Sequence, residues 1–463
     1  METVRSNGEN KMGVMPVNRL LISMAAPMIL SMLVQALYNV VDTVFVSNLG
    51  KDALTALSLA FSVQNLMISV AVGTGVGVNA LLSKSLGEKK FERADKAAEN
   101  GVFLALISYA VFLMIGVFLT RPYFSLFGAS QAVVDYGTSY LSVCCIFSFG
   151  LFGQIIFERL LQAVGKTFFT MITQLTGAIL NIILDPLLIY GYFGFPKMGV
   201  AGAAAATVIG QIAACVVAIY FNRRFNHEIH PRLGGFRPDG AIIRRIYAVG
   251  VPSIVMGSVG SVMTMGINQI VRLCGGAADT AQAVFGVYFK LQSFVLMPVF
   301  GLNNGMVPII AYNFGARKRK RLTKTIRLSV FYACMMMLIG LIVFQLFPET
   351  LIQCFDTGTE DMADMLAIGV PALRRISLSF VFAGFCVVSL SVFQALGHGF
   401  LSLGVSVMRQ LCVLLPVAFV IAYTTHSVQT MWFAFPIAEI ASVTLSALFL
   451  AHVYKKEIRP LGA

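Results

Sequence analysis

Long apolar runs alternate with short polar breaks along the whole chain. The runs are about 20 to 30 residues long and are bounded by charged residues, Gly and Pro, and a helix that crosses a bilayer needs about 20 apolar residues. The pattern predicts twelve transmembrane spans, near residues 20–46, 54–82, 99–120, 136–157, 167–190, 199–221, 247–274, 281–312, 326–347, 365–393, 400–423 and 429–453. The predicted fold class is therefore an all-α polytopic membrane protein.

The composition of the 463 residues supports this interpretation. Apolar residues make up 57% of the chain and charged residues 12%, whereas about half and about a quarter are usual in soluble domains. These values exclude a soluble enzyme and a disordered chain, and we expect a protein that is not an enzyme.

The formal net charge of +13 is explained by topology. By our assignment, 26 of the 34 Lys and Arg residues lie before the first span, in the loops that follow even-numbered spans, or in the C-terminal tail. Basic residues near short loops stay on the cytoplasmic side of a membrane. We therefore expect a multi-pass protein of the cell membrane with both termini in the cytoplasm, and no nucleic-acid partner.

The sequence contains an internal repeat of six spans. Four landmarks recur in the same order at nearly constant offsets: Pro27 with Pro252, Gly87 with Gly315, 162–165 (QAVG) with 394–397 (QALG), and Pro186 with Pro416. Because six is an even number, both halves cross the membrane in the same direction, with a substrate site expected between them. The predicted domains are a cytoplasmic segment 1–18, an N-lobe 19–221, a basic linker 222–245, a C-lobe 246–454 and a tail 455–463.

The residues resemble the multidrug and toxic compound extrusion (MATE) family of transporters over nearly the whole chain. The resemblance is carried by the first-span stretch APMILSMLVQALYNVVDTVFVSNLG, the doubled QAxG element, NIILDPLLIYG, GVAGAAAAT and MPVFGLNNGMVPIIAYNFGA. It implies two six-helix pseudo-symmetric lobes and the export of organic, often cationic compounds in exchange for sodium ions or protons.

Three acidic residues are predicted to lie well inside spans: Asp42, Asp185 and Glu439. Each costs roughly 3 kcal/mol on insertion scales, so each needs a functional or structural reason. Asp42 and Asp185 lie about 22 and 18 residues into spans that both run outward, so both reach the outer half of the membrane and can face each other.

Polar side chains at helical spacing accompany these acids. They are Gln35, Tyr38, Asn39 and Asp42 in the first span, Asn181 and Asp185 in the fifth, and Thr207 and Gln211 in the sixth. Their oxygens are ligands that sodium uses, and two nearby carboxylates also hold a shared proton. The alternative is a set of hydrogen bonds that only fixes the bundle. The resemblance implies a cation site, with Na⁺ as the candidate ion, at Asp42, Asn181, Asp185 and Thr207, and a bend in the first span at Pro27.

The second half departs from the first. Asn268 stands at the position equivalent to residue 43, and Glu439 is the one deep acid. Lys290, Arg374, Arg375 and Arg409 lie within spans and would repel cationic compounds. Either Glu439 neutralises one of them in a structural pair, or they line a cavity for an anionic substrate. Asn268, Glu439 and Arg409 are candidate cavity residues.

The leading hypothesis is a cation-coupled antiporter that exports amphipathic, cationic organic compounds or drugs by alternating access. It needs no cofactor beyond the coupling ion, proton or sodium, and is expected to work as a monomer in contact with membrane lipids. The alternative is a flippase of lipid-linked oligosaccharide precursors, which would use the basic residues. A channel or receptor would not need paired acids, and a major-facilitator transporter leaves the doubled QAxG element unexplained. The sequence leaves the substrate, coupling ion and stoichiometry open.

Overall fold

The computed structural model describes residues 10–127, 130–231, 236–274, 278–354 and 362–461. Residues 1–9 and 232–235, which belong to the predicted N-terminal segment and central linker, lie outside the described residues.

The first half of the chain forms six helical spans, numbered here as predicted. They are α1 (Val17–Ser47), α2 (Lys51–Gly87), α3 (Phe91–Leu126), α4a and α4b (Gln131–Ile146 and Phe149–Ala163), α5 (Thr167–Tyr190) and α6 (Val200–Phe225). The α4 pair is bent by 44° at its break. A short helix, Lys11–Val14, precedes α1.

The second half repeats this order. Its spans are α7 (Gly240–Cys274), α8 (Thr280–Gly315), α9 (Arg319–Leu346), α10a and α10b (Met362–Ser377 and Phe380–Leu396), α11 (Gly399–Thr425) and α12 (Val428–Ile458). The α10 pair is bent by 50°. The bends therefore fall on equivalent spans of the two halves, as a repeat of six spans requires.

Ten of these helices are long and apolar enough to cross a membrane, and each bent pair adds one further span, which gives twelve within the described residues. The predicted all-α fold with twelve spans is confirmed. Most helices extend a few residues beyond the predicted spans, because polar end residues continue the helix past the apolar run. The fifth span has the predicted limits, 167–190.

The helices of each half pack mainly against one another. In the first half α5 packs on α1 and α6, and α4b packs on α2 and α6; in the second half α8 and α10b pack on α9. The interface between halves is formed by α1 with α8 and by α7 with α2, which are equivalent pairs under the repeat, and by α2 with α8. The limits of the two lobes, residues 19–221 and 246–454, stay predictions.

The repeated glycines Gly87 and Gly315 mark the closest approach of α2 and α8. A Cβ atom on Gly87 would lie 2.0 Å from the carbonyl oxygen of Tyr312, and one on Gly315 would lie 2.2 Å from that of Lys84. Such distances leave room for glycine alone. This end of the bundle, which carries Gly87, Gly315 and residues 10–16, is called the basic side below.

Several basic residues predicted for loops lie on the helix ends, and Arg159 is one that reaches the other half. Arg159 was assigned to the loop after the fourth span, but it lies on α4b, four residues before the helix ends at Ala163. Its Nη1 atom donates to Gln162 Oε1 (2.7 Å) and to Asn304 Oδ1 on α8 (3.0 Å). A basic residue near a span end can thus join the two halves instead of meeting water.

Candidate cation site

Two parallel helices bring the predicted polar residues together. Helices α1 and α5 pack along each other, and Ser31 on α1 hydrogen-bonds Gln174 on α5, 143 residues later in the chain. The same separation relates Tyr38 to Asn181 and Asp42 to Asp185. The helices therefore stay in register, and residues eleven apart return to one face after about three turns.

The carboxyl groups of Asp42 and Asp185 lie within hydrogen-bonding reach of each other. Asp185 is fully buried, and its Oδ1 atom has no hydrogen-bond partner among the described residues. No Lys or Arg side chain in the described part of the chain forms an ion pair with either acid. Two close carboxyls without a basic partner require a proton or a cation between them.

Asn181 and Thr207 complete one side of this site. With its amide nitrogen turned towards Asp185, Asn181 donates to Asp185 Oδ2 (2.8 Å) and its oxygen accepts from Thr207 Oγ1 (3.1 Å). The Tyr38 hydroxyl lies within hydrogen-bonding reach of Thr207. The structure thus brings together the four residues of the predicted cation site, Asp42, Asn181, Asp185 and Thr207, and places Tyr38, also expected to take part in ion coupling, beside them.

The other predicted polar residues surround this core less closely. Gln35 is partly buried one turn before Asn39, its Nε2 atom lies 3.4 Å from Asn39 Oδ1, and Asn39 is exposed. Gln211 is partly buried on α6, one turn after Thr207. Gln35, Asn39 and Gln211 therefore stay candidates for a surrounding cavity.

Sequence reasoning missed a neighbouring polar pair. Gln64 on α2 donates from Nε2 to the Tyr140 hydroxyl on α4a (3.1 Å), and Tyr140 is close enough to Tyr38 and Asp42 to interact with them electrostatically. Gln64 stands beside Asn65 but has no polar residue three or four positions away, and Tyr140 has only Tyr136 at that spacing. Neither therefore produces the stripe that identified the residues of α1.

The donor set fits a small monovalent cation. Carboxylate, amide and hydroxyl oxygens are hard ligands, as alkali ions prefer, and the orphaned Asp185 Oδ1 supplies a free acceptor. Two close carboxyls can also share a proton. Groups of three or more His, Cys, Asp or Glu side chains able to hold a metal are absent from the described residues.

The deep charges of the second half form a different arrangement. Arg409 Nη1 lies 3.1 Å from Glu439 Oε1, so the structure shows the structural pair that was one of the two explanations offered above. Arg375 donates to the carbonyl of Gln429 and lies 5.0 Å from the Phe433 ring centroid. Asn268 accepts on its carbonyl from Gln282 Nε2 at 2.9 Å. These contacts stabilise the bundle and gather no acid pair.

A fourth acidic residue lies inside the protein. Three acids are predicted to lie deep inside spans, and the structure adds Glu158 on α4b, which is only 4% exposed. It stands beside Arg159 at the end of an apolar run and falls just outside the predicted span 136–157. The helix continues to Ala163 and carries Glu158 into the bundle.

Two packed six-helix halves with an acid pair between spans define a polytopic membrane transport protein. The MatE family model matches residues 27–187 and 252–420. The chain therefore belongs to the MatE family, whose members are transporters and not enzymes, as predicted. The two matched segments start at Pro27 and Pro252, the first landmarks of the repeat.

The chain is similar over most of its length to curated relatives and to solved structures. It is 25% identical over 439 residues to the multidrug export protein MepA of Staphylococcus haemolyticus, covering 93% of this chain and 92% of MepA. It is also 25% identical to an FAD transporter of Shewanella oneidensis, covering 92% of each. The crystal structure of MATE in complex with MaL6 shares the fold, with a TM-score of 0.90, 23% identity and coverage of 97% of this chain and 100% of the other.

Proposed function

We propose that this transporter is a cation-coupled antiporter, driven by protons or sodium ions, that exports amphipathic organic compounds by alternating access. The observation that carries the proposal is the Asp42–Asp185 pair, in which Asp185 is buried, Asp42 is partly buried and neither acid has a basic partner among the described residues. Its negative charge must be balanced in the membrane, and a coupling cation or a cationic substrate can balance it in turn. We further propose a monomer in the cell membrane with the basic side in the cytoplasm.

Competition for one charged site gives the coupling. A lipophilic monocation that approaches the acid pair displaces the coupling ion, and the ion displaces the compound on return. An exchange that moves one net charge draws about 2.3 kcal/mol from each 100 mV of membrane potential, enough for roughly a 40-fold gradient. The relatives named as multidrug export proteins support an organic substrate of this kind.

The basic residues of the second half support the flippase alternative poorly. A flippase of anionic lipid-linked precursors needs cationic side chains directed at its substrate. Glu439 neutralises Arg409, and Arg375 contacts a carbonyl and an aromatic ring instead. The acid pair in the first half is the stronger candidate for a substrate-linked charge.

A transport assay tests the proposal. In liposomes that contain the purified protein, efflux of ethidium should respond to an imposed proton or sodium gradient. Asp42→Asn and Asp185→Asn should each lower the gradient-driven rate at least about tenfold, because each removes one of the two charges that bind the ion. Asp52→Asn, at an exposed acid in the first turn of α2, is the matched control and should leave the rate unchanged. Normal ion-dependent efflux by both site variants would refute the proposal.

A further inference from the structure

Glu158 is a buried carboxylate that the proposed site does not use. Both of its oxygens accept hydrogen bonds from neutral amides: Gln154 Nε2 lies 2.9 Å from Oε1 and Gln174 Nε2 lies 2.8 Å from Oε2. Gln174 in turn contacts the Ser31 hydroxyl on α1. The side chain is therefore held in a defined position inside the first half and joined to the helix that carries Asp42.

No basic side chain in the described part of the chain forms an ion pair with Glu158. Arg159 is close enough to attract Glu158 electrostatically, but its guanidinium hydrogen-bonds Gln162 and Asn304 and does not contact the carboxylate. Cys215 on α6 is the other titratable group close enough to interact with Glu158. A carboxylate in this setting needs a proton or a small cation to balance its charge. The same holds for the Asp42–Asp185 pair, which is called the outer pair from here on.

A polar ladder connects Glu158 to the outer pair. The ladder consists of two facing stripes, one on each helix: Ser31, Gln35, Tyr38 and Asp42 on α1, and Gln174, Asn181 and Asp185 on α5. Three pairs are each separated by 143 residues: Ser31 and Gln174, Tyr38 and Asn181, and Asp42 and Asp185. The hydrogen bond between Ser31 and Gln174 fixes the register of the first pair, and the equal separation extends it to the other two. From Ser31 to Asp42 is eleven residues, or about 16 Å along the helix. Ala178 faces Gln35, so one step of the ladder is polar on α1 alone.

Glu158 lies at the end of this ladder nearest the basic side. It is five residues, or about 7 Å, from the end of α4b at Ala163. The Ala163 carbonyl accepts from Ser83 (3.0 Å), and the Val164 carbonyl accepts from Asn10 (3.3 Å), so α4b ends among the residues of the basic side. The outer pair and Glu158 thus occupy opposite ends of one polar path.

We propose that Glu158 is a second binding site for the coupling cation, a proton or a sodium ion, through which the ion passes from the Asp42–Asp185 pair to the basic side. The proposal rests on the proposed function. With a proton, the outer pair gives up one proton through the ladder, Glu158 gains it, and Glu158 then releases it to water. With sodium, the carboxylate and the side-chain oxygens of Gln154 and Gln174 supply the ligands after their amides rotate.

The test separates binding at the outer pair from release through Glu158. Ethidium binding to the purified full-length protein is measured with and without protons or sodium, and gradient-driven ethidium efflux is measured in liposomes. In Glu158→Gln, cation competition with ethidium should stay within about twofold of wild type, while efflux falls at least about tenfold and loses its dependence on pH or sodium at the basic side. Glu158→Asp keeps the charge and should restore most of the rate. Glu92→Gln, whose side chain is 86% exposed, is the control.

Separate proton and sodium gradients identify the ion, because only the gradient of the bound ion should lose its effect in Glu158→Gln. Efflux within twofold of wild type with unchanged ion dependence would overturn the proposal, and so would equal loss in the Asp and Gln variants. If Glu158→Gln does not fold, Ser31→Ala interrupts the ladder and should slow efflux while competition persists; an unchanged rate contradicts the path. If protons and sodium ions both fail to compete with ethidium in the wild-type protein, the result would instead count against the proposed function itself.

Discussion

At the residue scale, the two halves balance their buried charges differently. The first half leaves Asp42 and Asp185 without a basic partner among the described residues, whereas the second half pairs Glu439 with Arg409. A buried acid with a permanent partner is structural, because separation of the pair exposes an uncompensated charge. A buried acid pair without one is available to exchange ions.

We predict that the Arg409–Glu439 pair contributes to stability and not to ion coupling. Glu439→Gln and Arg409→Gln should each lower the stability by about 3 kcal/mol, because each leaves a mostly buried charge unpaired. The double variant should recover most of that loss. Thermal melting of the purified variants measures the effect, and ethidium efflux by the double variant should keep its ion dependence. A double variant that is stable but uncoupled would place the coupling site in the second half.

Much of the acid pair could be predicted from the sequence, whereas Glu158 could not. Asp42 and Asp185 interrupt long apolar runs, so their cost in a membrane is visible without a structure. Glu158 is followed at once by Arg159, and a charged pair at the end of an apolar run usually marks the membrane edge. Only the packing of α4b against α5 and α6 shows that this turn is enclosed by protein.

At the element scale, α1 combines a fixed part with a part that carries the site. Near Ala25 and Ile29 its backbone packs so tightly against α8 that a Cβ atom on Gly305 or Gly301 would lie only 2.8 or 2.5 Å from it. Pro27 lies between these contacts and leaves the Ser23 carbonyl without its usual helical donor. A bend of α1 at Pro27 stays a prediction, and such a bend would move Tyr38 and Asp42 relative to α5.

We predict that Pro27→Ala slows transport without changing the ion site. Alanine restores the backbone hydrogen bond and stiffens α1, so the step that moves Asp42 against α5 should become slower. Ethidium efflux should fall several-fold, while competition between ethidium and the coupling ion stays unchanged. A variant with normal efflux would show that α1 does not act as a hinge, and a variant with altered competition would show that Pro27 shapes the site.

The limits of the elements were less predictable than their number. The apolar run of the fourth span continues through Phe147 and Ser148, yet the helix breaks there and bends by 44°. Hydropathy measures the length of an apolar run and does not detect a bend inside it. The equivalent bend of the tenth span shows that the feature follows the repeat and the packing of the bundle, which a single run does not reveal.

At the scale of the whole molecule, the two halves are joined at the basic side. The segment before α1 contacts both: Asn10 donates to the Val164 carbonyl (3.3 Å), while Asn313 donates to the Met12 carbonyl (3.0 Å) and Arg321 to that of Met15 (2.6 Å). Together with the Gly87 and Gly315 contacts, these bonds close the basic side. The acid pair lies towards the other end, so under the proposed function the basic-side contacts have to break before the ion is released there.

The central claim is that one negative site serves the coupling ion and the organic compound in turn. The most direct measurement is the affinity of the purified protein for ethidium as the proton or sodium concentration is varied. The account predicts that one of these cations weakens ethidium binding by about tenfold, that ethidium weakens binding of that cation by the same factor, and that Asp42→Asn abolishes both effects. Ethidium affinity that is independent of both cations, or an unchanged dependence in Asp42→Asn, would contradict it.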